Sequence, residues 1–437
     1  MYPIASITTR LLILGLCSSL VACNGDKDGT DSGVDDEDTD TDTDTDTDTD
    51  TDTDTDTDTD TDTDTDTADS GGDTSDTGGD TADPDPDPVA TAVLLGRVSD
   101  DTGAVLSGVS VTLTTGESTV TDADGIFRFD ELGSGEADEE VEAIAHFELE
   151  GFMSSTKVFT GLSESERTWQ ISMIPRGEGQ SFDAGFTTPI KLHFEGSGHL
   201  TLTPGSLVDS SGAAATGEVT VYLTMMQTDE RIPLRAAPGD FSATQLDGSE
   251  SHLETWGMVE ILVVDADGSE LSLADEATAQ LATPLVFPQA GREVEASSSI
   301  GYYWFDEDTG LWMENGEAVT DGSNYVGEID EFGHWNSDKP METTCVSTSV
   351  THSDGSPYED LQVEAMGFDY ANYTDHFTDA TGVAYMLVRR DSTLSVTVYD
   401  AEGTELGTTN ATTPNTIGDC QSLYDAGMLE EIAAFSL

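Results

Sequence analysis

Basic residues are the scarcest part of this sequence. Its 437 residues hold 14 Lys and Arg against 89 Asp and Glu, a formal net charge of −75. A chain so poor in bases cannot neutralise a phosphate backbone, which excludes nucleic acid as a partner. Electrostatic docking on anionic lipid is excluded for the same reason. The seven histidines are His146, His193, His199, His252, His334, His352 and His376. None begins a His-x-x-Glu or His-Glu-x-x-His, the spacings that place zinc ligands on one side of a turn or helix. Gly-x-Ser-x-Gly and Gly-x-x-x-x-Gly-Lys are also missing, so neither a nucleophile elbow nor a phosphate loop has a candidate. No catalytic residue and no metal ligand set is assigned, and the chain reads as non-enzymatic.

What is there divides unevenly. Residues 1–23 carry Arg10 alone, residues 24–88 carry 28 acids and Lys27, and residues 89–437 carry 61 acids and 12 bases. The last stretch of 349 residues is long enough for two or three domains of ordinary size.

The N-terminus reads as an address. Arg10 precedes the apolar run Leu11-Leu12-Ile13-Leu14-Gly15-Leu16-Cys17, too short for a permanent membrane helix and suited to a secretory signal. Leu20-Val21-Ala22-Cys23 then resembles the bacterial lipobox. That resemblance implies cleavage before Cys23, with lipidation of its sulfur and of the new N-terminus. An ordinary signal peptide with a chance cysteine is the alternative. The residue after Cys23 is Asn24 rather than Asp, which leans toward the outer membrane. The expected location is the cell envelope, lipid-anchored at the outer membrane, with surface exposure left open and residues 1–22 as the signal peptide.

Residues 23–88 read as a disordered linker. From Thr39 to Asp66 the chain is Thr-Asp fourteen times over, and Asp83-Pro84-Asp85-Pro86-Asp87-Pro88 closes the segment. No apolar face can be drawn on it, and charges on alternate residues repel and extend it. A relaxed coil of its 65 residues from Asn24 to Pro88 would span roughly 45 Å. Full extension would approach roughly 200 Å.

Beyond residue 91 short alternating apolar runs are interrupted by Gly, Asp and Ser. Val109-Ser110-Val111-Thr112-Leu113, Val219-Thr220-Val221-Tyr222-Leu223 and Leu394-Ser395-Val396-Thr397-Val398 are such runs. Asp124-Gly125, Asp267-Gly268 and Asp354-Gly355 supply the positive φ of tight turns. The pattern predicts an all-β protein built of tandem β-sandwich modules. In the first module Gly96-Arg97-Val98, Asp101-Thr102-Gly103, Val109-Ser110-Val111, Thr121-Asp122-Ala123-Asp124-Gly125-Ile126-Phe127-Arg128-Phe129 and Gly151-Phe152 follow in order. This series resembles the carboxypeptidase regulatory-like domain, a transthyretin-like, carbohydrate-binding-like sandwich, and implies that fold for residues 89–175. It is the accessory sandwich that is resembled; the zinc peptidase domain is absent. Thr378-Asp379-Ala380-Thr381-Gly382-Val383-Ala384-Tyr385 matches Thr121–Arg128 and predicts a second, diverged copy over 343–437. The β-rich middle, 176–342, carries Pro204-Gly205-Ser206-Leu207-Val208, Gly257-Met258-Val259-Glu260-Ile261, Tyr303-Trp304-Phe305 and Phe332-Gly333-His334-Trp335-Asn336. That order resembles the extracellular β-rich part of cartilage intermediate layer proteins.

Of the four cysteines, Cys345 and Cys420 remain once Cys17 leaves with the signal and Cys23 takes the lipid. Two thiols left in an exported protein predict one disulfide. Asp122-Ala123-Asp124-Gly125 and Asp306-Glu307-Asp308-Thr309-Gly310 offer oxygen ligands, so Ca²⁺ is possible. Neither completes a twelve-residue Ca²⁺ loop, and turns use the same residues for conformational reasons. Tyr302, Tyr303, Trp304, Trp312, Tyr325 and Trp335 are concentrated within a short stretch, with Trp304 and Trp312 set as partners across one hairpin. Tyr303, Trp304, Trp312 and Trp335 are the candidate ligand platform, because exposed rings stack on sugar faces. Core packing is the competing expectation.

The expected function is a non-enzymatic surface lipoprotein. It would be held to the membrane by its lipid and would display sandwich modules for adhesion to a glycan or surface protein. The alternative is a structural spacer or envelope-assembly component with no small ligand.

Overall fold

A computed structural model describes residues 91–133, 141–194, 196–226, 231–285 and 297–437. The expected signal peptide, Cys23 and the acidic linker lie outside the described residues.

Alternation builds the first sandwich. Its strands are β1 (Thr91–Asp100), β2 (Ser110–Leu113), β3 (Ser118–Val120), β4 (Ile126–Gly133), β5 (Val141–Glu148), β6 (Ser155–Leu162) and β7 (Thr168–Met173). Ala92, Leu94 and Val98 of β1 point inward at every second place, as the period of a half-buried strand demands. One sheet runs β4-β1-β7 and the other β3-β2-β5-β6. The closing pair, β1 with β7, is parallel. Phe127, Phe147 and Phe159 fill the core between the sheets in edge-to-face contacts.

The middle begins with β8 (Gln180–Asp183), β9 (Ile190–His193), β10 (His199–Leu202), β11 (Leu207–Val208) and β12 (Glu218–Met226). Helix α1 (Arg231–Ala236) follows, then β13 (Ser242–Thr244), β14 (Glu250–Asp265), β15 (Ser272–Leu273) and β16 (Ala279–Pro284). It ends with β17 (Ser299–Asp306), β18 (Leu311–Thr320), β19 (Asn324–Ile329) and β20 (Gly333–Met341). Eleven of these strands join one sheet whose path is β8-β12-β14-β20-β17-β18-β19-β16-β10-β9, with β13 pairing beside it. The sheet folds over a core of Leu200, Leu202, Val221, Trp256, Ile261, Tyr302, Tyr325 and Trp335.

The last sandwich repeats the first strand for strand. Here β21 (Thr343–Thr351), β22 (Gln362–Gly367), β23 (Tyr373–Phe377), β24 (Val383–Arg389), β25 (Thr393–Tyr399), β26 (Glu405–Thr412) and β27 (Glu430–Ser436) form sheets β24-β21-β27 and β23-β22-β25-β26. The closing pair, β21 with β27, is again parallel. A short helix, α2 (Cys420–Asp425), lies in the connection before β27.

The copied sequence has a physical cause. Thr121 Oγ1 accepts from Val109 N at 2.9 Å and donates to Leu106 O at 2.7 Å. Thr378 Oγ1 accepts from Leu361 N at 3.0 Å and donates to Tyr358 O at 2.7 Å. In both sandwiches one hydroxyl thus ties an incoming loop to the strand that follows. The next residue, Asp122 or Asp379, accepts two backbone amides with Oδ1. Gly125 and Gly382 sit at φ 73° and 75°, and a Cβ there would meet Val98 O at 2.7 Å or Val350 O at 2.4 Å. Both positions therefore require glycine.

Candidate functional site: a buried junction and an open seam

The predicted aromatic platform is not a surface. Tyr303 is 1% exposed, and Trp312 and Trp335 are fully buried. Trp304 is partly buried against the middle core, its indole N–H donating to Phe332 O at 3.1 Å. The indole of Trp335 donates to Glu331 O at 3.0 Å. Alternation along β17 explains the run of rings. Ile300 and Tyr302 enter the core of the middle sheet, while Tyr303 and Phe305 enter a different core together with Trp312. The strand is covered on both faces, so its sequence is apolar without a break. In the hairpin register Trp312 opposes Phe305, while Trp304 opposes Met313 on one side and Trp335 on the other.

The Asp-rich turns are built by their own carboxylates. Oδ1 of Asp100, Asp122, Asp209, Asp265, Asp379 and Asp400 each accepts the amides two and four residues on. A glycine at positive φ stands between those two amides in every case. Asp306 accepts the amide of Asp308 at 3.0 Å in the same manner. The Ser211 hydroxyl and neighbouring amides hold Asp209 below the usual carboxylate range. Among the described residues, no group of three or more His, Cys, Asp or Glu is placed to hold a metal ion.

Cys345 and Cys420 are joined, with Cα atoms 4.8 Å apart and 75 residues of separation. The bond fastens the start of β21 to α2, whose first turn is capped by Asp419 accepting from Ser422 N at 2.8 Å.

Sequence reasoning missed the junction of the three sheet systems. Met153 and Ile174 from the first, Met226, Leu234, Phe241, Met258, Tyr303, Phe305 and Trp312 from the middle, and Met366 and Tyr373 from the last share one core. Charge is sealed in beside it. Arg235 of α1 pairs with Glu364 of β22 and lies over the Tyr399 ring at 5.2 Å. Tyr373 OH donates to the same carboxylate at 3.0 Å. Burial opposes the Arg235 charge most strongly, but Glu364, Tyr373 and Tyr399 together outweigh it and hold the guanidinium protonated. Lys157 of β6 donates to the carbonyls of Arg235, at 2.6 Å, and Ala237. Burial lowers its amine to about 8. Asp375 of β23 accepts from Gln362 Nε2 at 2.5 Å, and burial, helped by Glu364, raises it to about 6.

The scarcity of bases makes their placement informative. Of the twelve in residues 89–437, five bond from one sheet system to another among the described residues. Arg97 donates to Glu402 O at 3.1 Å, and Arg167 pairs with Asp360 at 2.7 Å. Arg389 pairs with Glu254 at 3.0 Å, and Lys157 and Arg235 complete the set. Trp169 meets Phe377 edge-on at 4.9 Å, and Thr255 N donates to Ala371 O at 2.9 Å.

The last sandwich also presents an open seam. A groove of about 700 Å³ lies along β26 and β27, lined by Phe368, Thr393, Asn410, Ala411, Thr412, Glu430, Glu431 and Ile432. Among the described residues β26 pairs only with β25, and β27 only with β21. Both strands are therefore sheet edges, with backbone groups available for a further strand.

Residues 93–160 match the carboxypeptidase regulatory-like domain family, within the first sandwich. No characterised protein matches the chain significantly in sequence. Among solved structures it is similar to the Bacillus anthracis TIE protein, at 10% identity over 79% of this chain with a TM-score of 0.18. It spans half the length of that chain. It is also similar to BcpA, the major pilin subunit of Bacillus cereus, at 10% identity over 73% of this chain and 94% of that one, TM-score 0.16. A further likeness is to the Corynebacterium diphtheriae major pilin SpaA, at 10% identity over 79% and 98%, TM-score 0.15.

Proposed function

We propose that this protein is a non-enzymatic structural component of the bacterial cell surface, three β modules (89–175, 176–342 and 343–437) carried as one stiff body on an acidic tether. Lipidated Cys23 would hold the tether to the envelope, at the outer membrane, and residues 24–88 would set the distance. The observation that carries the reading is the junction. Among the described residues five bases bond across sheet systems, in a region where residues 89–437 hold 12 bases and 61 acids. Single surface ion pairs contribute little, whereas buried pairs fix one geometry. With Tyr303, Trp312 and Trp335 inside cores and Trp304 packed partly buried against one, stacking on glycan loses its platform, and the spacer alternative gains.

The test uses the mature chain. Calorimetry should give one cooperative transition for residues 89–437, and scattering a body of fixed length. Three separate transitions, or turnover of any envelope polymer, would overturn the reading. Labelled palmitate should enter the wild type and be absent from Cys23→Ser; equal labelling of both removes the anchor.

A further inference from the structure

The first sandwich shows what its copy leaves uncovered. Position by position, Thr156 of β6 corresponds to Thr408 of β26. His146 opposes Thr156 across the strands at 2.9 Å, and Thr397 opposes Thr408 at 3.0 Å. In the first sandwich this edge is occupied. Gly239 N donates to Thr156 O at 2.8 Å, and Ser155 Oγ donates to Ala236 O at 3.2 Å. Lys157 closes the contact through the carbonyls of Arg235 and Ala237. The occupant is a stretch of backbone with small side chains, Ala236-Ala237-Pro238-Gly239. In the last sandwich the counterparts of Val158 and Phe159, Asn410 and Ala411, line the open groove instead.

We infer that the seam between β26 and β27 is a docking site for an extended, basic segment of another protein, which adds to β26 as a further strand. Backbone pairing supplies the affinity of such strand addition, and the flanking side chains supply the selectivity. Glu430 and Glu431 are exposed and line the groove, and no Lys or Arg lines it. Charge complementarity therefore selects a cationic partner. It also selects against a second copy of this chain, whose residues 89–437 carry 12 bases and 61 acids, a net charge of −49. The inference goes beyond the structural role proposed above and does not depend on Cys23.

The probe is a labelled decapeptide of alternating Lys and Thr, with alternating Glu and Thr as its counterpart, titrated against the mature chain. The basic peptide should bind and protect β26 amides from hydrogen exchange; the acidic one should not. The double variant Glu430→Lys/Glu431→Lys should weaken binding at least tenfold. Asp101→Lys/Glu317→Lys, an equal charge change on exposed residues elsewhere, should leave it within twofold, which separates a local site from the general field of an acidic protein. Asn410→Pro removes an outward edge amide, a change edge strands tolerate, and should also weaken binding at least tenfold with the circular dichroism unaltered. Equal binding of both peptides, equal effects of the two double variants, or protection confined to other strands overturns the inference. Self-association through the groove, seen by sedimentation and abolished by Asn410→Pro, overturns it in favour of a second copy.

Discussion

The first and last sandwiches share seven strands, two sheets, a parallel closing pair and the Thr-Asp-x-x-Gly turn, yet they are finished differently. In the first, Ser163–Arg167 connects β6 to β7, and the middle region covers the edge of β6 while the last sandwich meets β7. In the last, the connection from Thr413 to Leu429 carries α2 and the disulfide, and among the described residues the edges of β26 and β27 stay open while β23 enters the junction. The same topology is thus closed in one place by neighbours and in the other by a covalent bond. Both sandwiches draw on the junction, and the last also holds β27 through its own loop.

That contrast predicts where damage spreads. Arg235→Ala leaves Glu364 buried without its cation, a change that costs about 3–5 kcal/mol. It should loosen both sandwiches at once. Denaturant unfolding of wild type and variant measures it, and a loss confined to one sandwich by hydrogen exchange would contradict a shared junction. Cys345→Ser/Cys420→Ser should cost about 2–4 kcal/mol. Exchange should rise in β21 and β27 and stay unchanged in β1 and β7; an equal rise in all four would erase the distinction.

The third prediction concerns pH. Asp375 is raised from 3.8 to about 6 in the folded chain. A raised carboxyl contributes stability that is fully present below the unfolded value and is lost as pH climbs through the folded one. Asp375 keeps some exposure, so the loss is discounted to about 2 kcal/mol. Asp375→Asn should therefore stabilise the chain by that amount at pH 8 and leave it unchanged near pH 4. A difference that does not vary with pH between these limits refutes the assignment. The smallest effect should fall on the shared turn. Thr121→Val and Thr378→Val each leave one amide and one carbonyl unsatisfied, a loss of about 1–2 kcal/mol. The two should agree within about 0.5 kcal/mol; a twofold discrepancy would show that the copies are no longer equivalent there.

The repeated turn was legible because its constraints are local. Asp379 must reach amides two and four residues away, and Gly382 must admit a neighbouring carbonyl. Those demands fix residue types at fixed spacing, so Thr121–Arg128 and Thr378–Tyr385 could be aligned by eye. The disulfide followed from counting. The aromatic run was ambiguous because one strand's sequence does not say whether its second face meets water or another core. For β17 the answer lies in Met153, Met366 and Tyr373, contributed by both flanking sandwiches. The junction was hidden for a related reason. Lys157, Arg235 and Glu364 come from three distant segments, and in a chain with 89 acids no single carboxylate announces its partner. The signal available was the shortage of bases: where cations are few, each position merits a partner search.

The parallel closing pairs have a mechanical consequence. Because β1 and β7 run side by side in one direction, the chain enters the first sandwich at one end of that pair and leaves it at the other. Tension applied between Thr91 and Met173 acts along the strands, so the six register pairs from Leu95–Thr168 to Asp100–Met173 are loaded together in shear. An antiparallel pair pulled from one end would instead open bond by bond. In the last sandwich β21 and β27 have the same arrangement, so a stretched molecule would meet two shear clamps in series, with the disulfide set beside the second.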